Sequence, residues 1–443
     1  MASAAEQLAA NMSWKAFGKA KDLQSRLLFT LGLLIVYRLG TYIPLPGVDP
    51  EQLAALVERA QGGIGDILNT FTGGAIGRMS IFALGIMPYI SASIIMQLLT
   101  SMVPSLEKLK KEGEQGRKKI NQYTRYGTLA LATVQAWGMA SGLDSNGISS
   151  DPGMFFRIVA ATTLVGGTMF LMWLGEQITA RGVGNGISLI IFCGIVAELP
   201  GAIAQTLSLG QQGILSPAII IAIIIMAIVV IAFVVFMERA QRRILIQYPK
   251  RQVNQGKMVG GENSHLPLKV NTAGVIPPIF ASSLLILPLT AVGFFGQGGP
   301  DWLTTITSLL GRGQPLYLGL YVALIVFFAF FYTAVVFNPE EVADNLKKHG
   351  GFVPGIRPGK NTAKYLDYVL TRLTVVGAIY LSLVCLLPEI LTSRMSVPFY
   401  FGGTSLLIIV SVTMDTVSQI QSHLLAHQYE GLIQRSKLRG RKR

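Results

Sequence analysis

The sequence predicts an all-α polytopic membrane protein of ten transmembrane helices in two five-helix halves, and three observations carry that prediction. Hydrophobic residues make up 51% of the 443 and charged residues only 14%, well below the roughly 25% charge of an ordinary soluble domain. Apolar runs of about 20 residues, the length that crosses a bilayer as a helix, recur at 25–43, 76–102, 122–141, 155–174, 187–205, 215–237, 273–293, 316–337, 368–388 and 399–420. Charge alternates along them: the amino-terminal tail, the even-numbered loops and the carboxy-terminal tail hold 31 of the 37 Lys and Arg, and the other side holds Arg38, Arg59, Arg78, Arg157, Arg312 and Arg394. The positive-inside rule then puts both termini in the cytoplasm. Topology thus accounts for most of the net charge of +14, and a nucleic-acid partner loses most of its support.

From the amino terminus, "WKAFGKAKDLQSRLL" is either a helix lying on the cytoplasmic surface or a plain basic flank to the first span. The first apolar run begins near Leu27 with no A-x-A-like cleavage site behind it, which reads as a retained span and not a signal peptide. Between spans 1 and 2 lies "GGIGDILNTFTGG". Its central piece, Ile64 to Thr72, is roughly 14 Å long as a helix, about half the hydrocarbon thickness. It is too short to span, and either lies on the outer surface or enters a cavity between two halves, where backbone is tolerated at membrane depth. Division of ten spans near residue 212 gives halves 1–212 and 213–443, and an odd number of spans per half makes the second inverted. Cys193 and Cys385 both lie in apolar runs, so no disulfide framework is implied.

Two cytoplasmic connections exceed what topology requires. Glu238 to Lys269 carries Arg242, Arg243, Lys250 and Arg251, and Asn338 to Tyr368 contains "GGFVPGIRPG", where Gly and Pro pairs hold turns that project Arg357 outward. With the tail "RSKLRGRKR", these read either as solvated basic loops or as a docking surface for a large cytoplasmic partner. If that partner contains RNA, the same charges would meet phosphates without reading bases.

Within the spans, "ALGIMPYISASIIMQLL" (Ala83 to Leu99) carries Gly85, Pro88, Ser91 and Gln97 where lipid contact alone would favour Leu, Ile and Val. "GIMPYI" sets Ile86 and Ile90 four apart, and "GNGISLII" does the same with Ile187 and Ile191, so each span stacks two isoleucines on one face. Such pairs are common in any span. Their company of polar residues points to a partly wet interior.

No enzymatic signature emerges. "HLLAH" has zinc-helix spacing without the Glu of H-E-x-x-H, and "GIRPGK" has Pro354 where a phosphate loop needs its first glycine. No G-x-S-x-G elbow occurs, and no carboxylate pair sits mid-span as in a proton-coupled carrier. The chain reads as a non-enzyme with neither cofactor nor metal.

The motifs "SIFALGIMPYISASIIMQLL", "KKEGEQGRKKINQYTRYGTL", "GTMFLMWLGEQIT", "RGVGNGISLIIF", "HLPLKVNTAGVIPPIFASS", "FYTAVVFNP", "NLKKHGGFVPGIRPG" and "PFYFGGTSLLI" closely resemble the bacterial SecY family, in order over roughly residues 24 to 430. The first 20 residues, the outer loop near 142–152 and the stretch from Val253 to Glu262 match less well, and Pro278 is a variation beside Pro277. The resemblance implies two inverted five-helix halves around a central hourglass pore with a short plug helix. It implies a channel that translocates unfolded secretory polypeptides and releases membrane segments sideways. It puts the pore ring on Ile86, Ile90, Ile187, Ile191, Ile279 and Ile408, and the plug on Ile64, Asp66, Ile67, Leu68, Asn69 and Phe71. It places the lateral gate between spans 2–3 and 7–8, at Ser91, Ile94, Gln97, Asn271 and Leu287, with Gln97 and Asn271 in a polar patch that closes the seam. The implied partners are the small membrane subunits SecE and SecG, the motor ATPase SecA, the ribosome through its RNA phosphates, signal peptides, nascent polypeptides and the lipid bilayer. The implied location is the bacterial inner membrane. A secondary transporter of a small solute is the rival reading, but it calls for convergent polar ligands at the midplane, where this chain offers isoleucine. A scaffold or insertase without a continuous pore is a third.

Overall fold

The computed structural model describes residues 20–53, 69, 72–145, 147–213, 216–248, 251–253, 257–259, 263–295, 314–395 and 403–440. In chain order these form α1 (Lys21–Gly40), α2 (Met87–Met102), α3 (Pro104–Lys111), α4 (Glu114–Ser145), α5 (Met154–Arg181), α6 (Gly186–Gln211), α7 (Pro217–Arg239), β1 (Gln241–Gln247), β2 (Arg251–Val253), β3 (Lys257–Val259), β4 (Asn263–Lys269), α8 (Ile276–Phe295), α9 (Pro315–Val336), α10 (Pro339–Lys348), α11 (Lys360–Met395) and α12 (Gly403–Gly440). All ten predicted spans fall on helices: α1, α2, α4 to α9, α11 and α12. Seven of them, α1, α5, α6, α7, α9, α11 and α12, are long and apolar enough to cross a membrane unaided.

Local chemistry sets the boundaries. The Ser216 side chain caps α7 by accepting from Ile219 N, with Pro217 at the first helical position, and Asn185 caps α6 by accepting from Ile187 N. Span 2 departs from the predicted 76–102: residues 72–86 are turns, and the helix starts only at Met87. Gly85 has φ +57°, a conformation open to glycine, and Pro88 in the first turn removes a donor that a longer helix would need. At the other end α2 meets α3 at a 98° bend after Val103, where Pro104 begins the short surface helix.

Packing matches a membrane setting. On α7 only Val234 and Glu238 are buried, while Ile221, Ile224, Ile225 and Ile228 are more than half exposed. An apolar face of that extent belongs against lipid. Among the described residues one buried cluster draws Ile90 and Ile94 of α2, Ile191 and Ile195 of α6, Phe280 of α8, Phe328 of α9 and Ile408 of α12 into contact. Helix α8 packs on both α2 and α4, joining the two halves of the chain.

The cytoplasmic connections do not stand apart. β1 and β4 form an antiparallel ribbon, from Gln241 opposite Lys269 to Gln247 opposite Asn263, with β2 and β3 paired beyond it. Gln247 and Phe352 exchange two backbone hydrogen bonds, at 2.9 and 3.0 Å, and Ile244, Leu268, Val353, Leu366, Val369 and Leu370 close over one another as a small core.

Candidate functional site

At the centre of the helix bundle, Thr72, Ile86, Met87, Ile90, Ile191, Ile279, Ser282 and Ile408 surround a cavity of about 10 Å³. That is room for about one water molecule. Ile86 stands at the amino-terminal cap of α2 and Ile90 one turn later, α6 supplies Ile191, α8 supplies Ile279 and α12 supplies Ile408. Five of the six expected ring residues therefore meet here, from both halves of the chain. Ile187 does not line the cavity; its Cγ1 lies over Gly175 of α5, which has no side chain to hold it off. Both hydroxyls in the lining are engaged by backbone: Ser282 Oγ donates to the Ile279 carbonyl at 2.9 Å, and Thr72 Oγ1 to the Asn69 carbonyl at 3.1 Å. The constriction is apolar in effect as well as in composition. Thr72, Met87 and Ser282 were not legible as its walls, because the pattern of paired isoleucines does not extend to them.

Of the expected plug, Ile64, Asp66, Ile67, Leu68 and Phe71 lie outside the described residues. Asn69 is tied to the chain that follows, its carbonyl accepting from Gly74 N at 2.8 Å and its Oδ1 from Gly77 N at 2.7 Å. This bracing brings Thr72 to the cavity wall.

At the seam between α2 and α8, Ser91 and Ile94 are buried, and Ile94 shares a cluster with Phe280. Gln97 and Asn271, which the resemblance puts in one polar patch, are not hydrogen-bonded to each other. Asn271 Nδ2 instead donates to Glu238 Oε1 at 2.7 Å and to the Gly274 carbonyl at 3.0 Å, while Gln97 Oε1 is buried without a hydrogen-bond partner. A carboxylate is the stronger acceptor, so Glu238 outcompetes an amide across the seam. Leu287 falls in α8, with its side chain outside the described residues.

On the cytoplasmic side Arg357 is exposed in a turn between Gly355 (φ +81°) and Gly359 (φ +103°), and its carbonyl accepts from Thr362 Oγ1 at 3.0 Å. Arg242 and Arg243 are exposed on β1. Lys250 lies outside the described residues, and Arg251 belongs to β2 with its side chain outside them. The Gln247–Phe352 bridge joins the ribbon to the segment that carries the Arg357 turn, so the two basic segments are in direct contact.

The chain is similar to known proteins along nearly its whole length. Protein translocase subunit SecY of Escherichia coli K12 is 56% identical over 431 residues, covering 96% of this chain and 97% of that one. Protein translocase subunit SecY of Vibrio cholerae is 56% identical, covering 95% and 96%. Among solved structures, a protein-conducting channel matches with a TM-score of 0.64 at 19% identity, over 90% of this chain and 92% of that one, and Sec61 in the canine ribosome–channel complex matches at 0.60 with the same identity and coverage. The SecY family model matches residues 80–417, a span that includes four of the five isoleucines at the cavity from α2, α6 and α8 together with Ile408 of α12, and the chain belongs to the SecY family.

Proposed function

We propose that the isoleucine-lined cavity is the resting seal of a channel for unfolded polypeptides. The chain itself is a multi-pass membrane protein and the channel subunit of a protein translocase. The observation that supports the seal is the meeting of Ile86, Ile90, Ile191, Ile279 and Ile408 around a space of about 10 Å³. A narrow apolar constriction excludes water while shut. Flexible aliphatic side chains also close around any passing sequence without hydrogen-bond selectivity, which a conduit for many substrates needs. The solute-transporter reading lacks its required ligands, since the two lining hydroxyls are engaged by backbone.

On this reading the seam between α2 and α8 is the lateral exit for membrane segments, and residues 64–72 supply the plug. The united cytoplasmic unit carrying Arg242, Arg243 and Arg357 docks the driving partner, SecA or the ribosome, and SecE and SecG complete the complex in the bacterial inner membrane with both chain termini cytoplasmic. Arg357 is suited to this: an exposed guanidinium on a glycine-hinged turn can form paired bonds to carboxylate or phosphate. The test is reconstitution. Proteoliposomes holding the translocase should take up an unfolded secretory polypeptide in a partner-dependent way, and reporters at Lys110, Gly256 and Gly355 should face the partner side while those at Gly210 and Gly298 face away. Uptake of small solutes without polypeptide transport would refute the reading.

A further inference from the structure

We propose that Tyr37, Arg38, Arg78 and Glu198 form a clamp that holds the 72–74 turn against the constriction and sets how readily the channel opens. The clamp grips three successive carbonyls. Tyr37 Oη donates to Thr72 O at 3.2 Å, Arg38 Nη1 to Gly73 O at 2.6 Å, Arg78 Nη2 to Gly73 O at 3.2 Å and Arg78 Nε to Gly74 O at 3.2 Å. Arg78 Nη2 also meets Glu198 Oε1 of α6 at 3.4 Å, which ties the turn to the helix that supplies Ile191. Both guanidiniums lie against the Tyr42 ring, at 4.3 Å for Arg78 and 5.0 Å for Arg38. Such cation–ring contacts hold the planar groups in place.

The backbone is shaped for this grip. Gly73 (φ +66°) passes so close to α6 that a β-carbon would sit 3.0 Å from Gly194 Cα, and a β-carbon on Gly74 (φ +79°) would run into Arg78 and Glu198. The two arginines are also out of pattern. They are among only six basic residues on the side that the charge rule leaves poor in Lys and Arg, and Arg38 sits in the last turn of a spanning helix. Their common role is the turn whose first residue, Thr72, walls the cavity.

The inference rests on the cavity being the seal. Loosening the clamp removes a wall of the closed state and leaves the helices that form the open path, so it lowers the energy separating closed from open. A purely structural brace predicts only loss: less assembled protein and slower transport. A clamp that sets the opening threshold predicts gain. With channel content matched, Arg38→Met should raise resting ion conductance about ten-fold, the scale of one charge-assisted hydrogen bond, and Tyr37→Phe about five-fold, the scale of a neutral one. Both should transport a substrate with a weakened signal segment better than the parent, and Arg38→Lys should fall between parent and Arg38→Met. Should Arg38→Met fail to accumulate, Tyr37→Phe and Arg38→Lys decide, since each keeps most of the side chain. Ile408→Ser, measured alongside, separates the two claims. If it leaks while the assembled clamp variants keep parental conductance and signal dependence, the clamp is a brace and the proposal is overturned. If Ile408→Ser does not leak either, the seal reading falls and the proposal with it.

Discussion

Replacement of Ile408 by serine should wet the constriction. Ile408 is 1% exposed, lines the central cavity and belongs to the carboxy-terminal half, facing Ile86, Ile90 and Ile191 of the other. The change removes the equivalent of two aliphatic carbons, each comparable to one water's share of liquid volume, so a space that holds about one water gains room for about two more. The energetic effect has two parts. Removing two buried methylene equivalents, at about 0.8 kcal/mol each, makes the wetted state about 1.6 kcal/mol less unfavourable. A hydroxyl that can bond to the entering water contributes about 1 kcal/mol more. Together they correspond to a roughly 70-fold rise in the wetted population. Ion conductance of the reconstituted translocase in a planar bilayer reads this directly, and a graded series separates area from polarity: Ile408→Val, one methyl smaller, should rise only about four-fold. A serine variant within a few-fold of the parent, at equal channel content, would refute the assignment of this cavity as the seal.

Arg357→Glu should abolish partner-driven transport into inverted vesicles while leaving membrane insertion intact, because Arg357 is exposed and its turn is held through its main-chain carbonyl, which accepts from Thr362 Oγ1; near-normal rates would remove its docking role. A disulfide between a cysteine at Ser91 or Ile94 and one near Leu287 should block insertion of hydrophobic segments, since α2 and α8 pack against each other; insertion that proceeds with the crosslink formed argues against a lateral exit. Gly403→Ala should lower the level of assembled protein or its thermal midpoint, because a β-carbon would run into the Val384 carbonyl and lie 2.6 Å from Cys385 Cα. Backbone on the opposing helix cannot yield as a side chain would, so an unchanged melting curve would contradict the packing of α12 on α11.

The spans were legible because a bilayer demands a fixed apolar length, and a run such as "IIIAIIIMAIVVIA" satisfies it whatever its neighbours do. Hydropathy could not show that residues 76–86 are turns, since Gly85 and Pro88 act through backbone geometry and leave the apolar composition intact. The four-residue spacing identified Ile86, Ile90 and Ile191, but it could not tell that Ile187 leans onto Gly175, a gap set by a different helix. Asn271 was visible as a polar residue near the seam; its choice of Glu238 over Gln97 depends on where α7 ends in space. The joining of the cytoplasmic segments was hidden for a similar reason, as two backbone hydrogen bonds between Gln247 and Phe352 leave no trace in side-chain pattern. Arg38 and Arg78 did leave one. They could be counted among the basic residues on the sparsely charged side, but only the fold shows that both grip the turn beside the cavity.

The central claim, that polypeptide passes through this ring of isoleucines, is tested most directly by site-specific photocrosslinking to a secretory chain arrested midway. Photoreactive residues at Ile86, Ile191, Ile279 and Ile408, which share the cavity, should all capture the arrested chain, because each ring position must touch whatever fills the constriction. Probes at Ile224 and Ile228, more than half exposed on α7, should capture lipid and no substrate. Capture at the α7 positions with none at the ring would contradict the account.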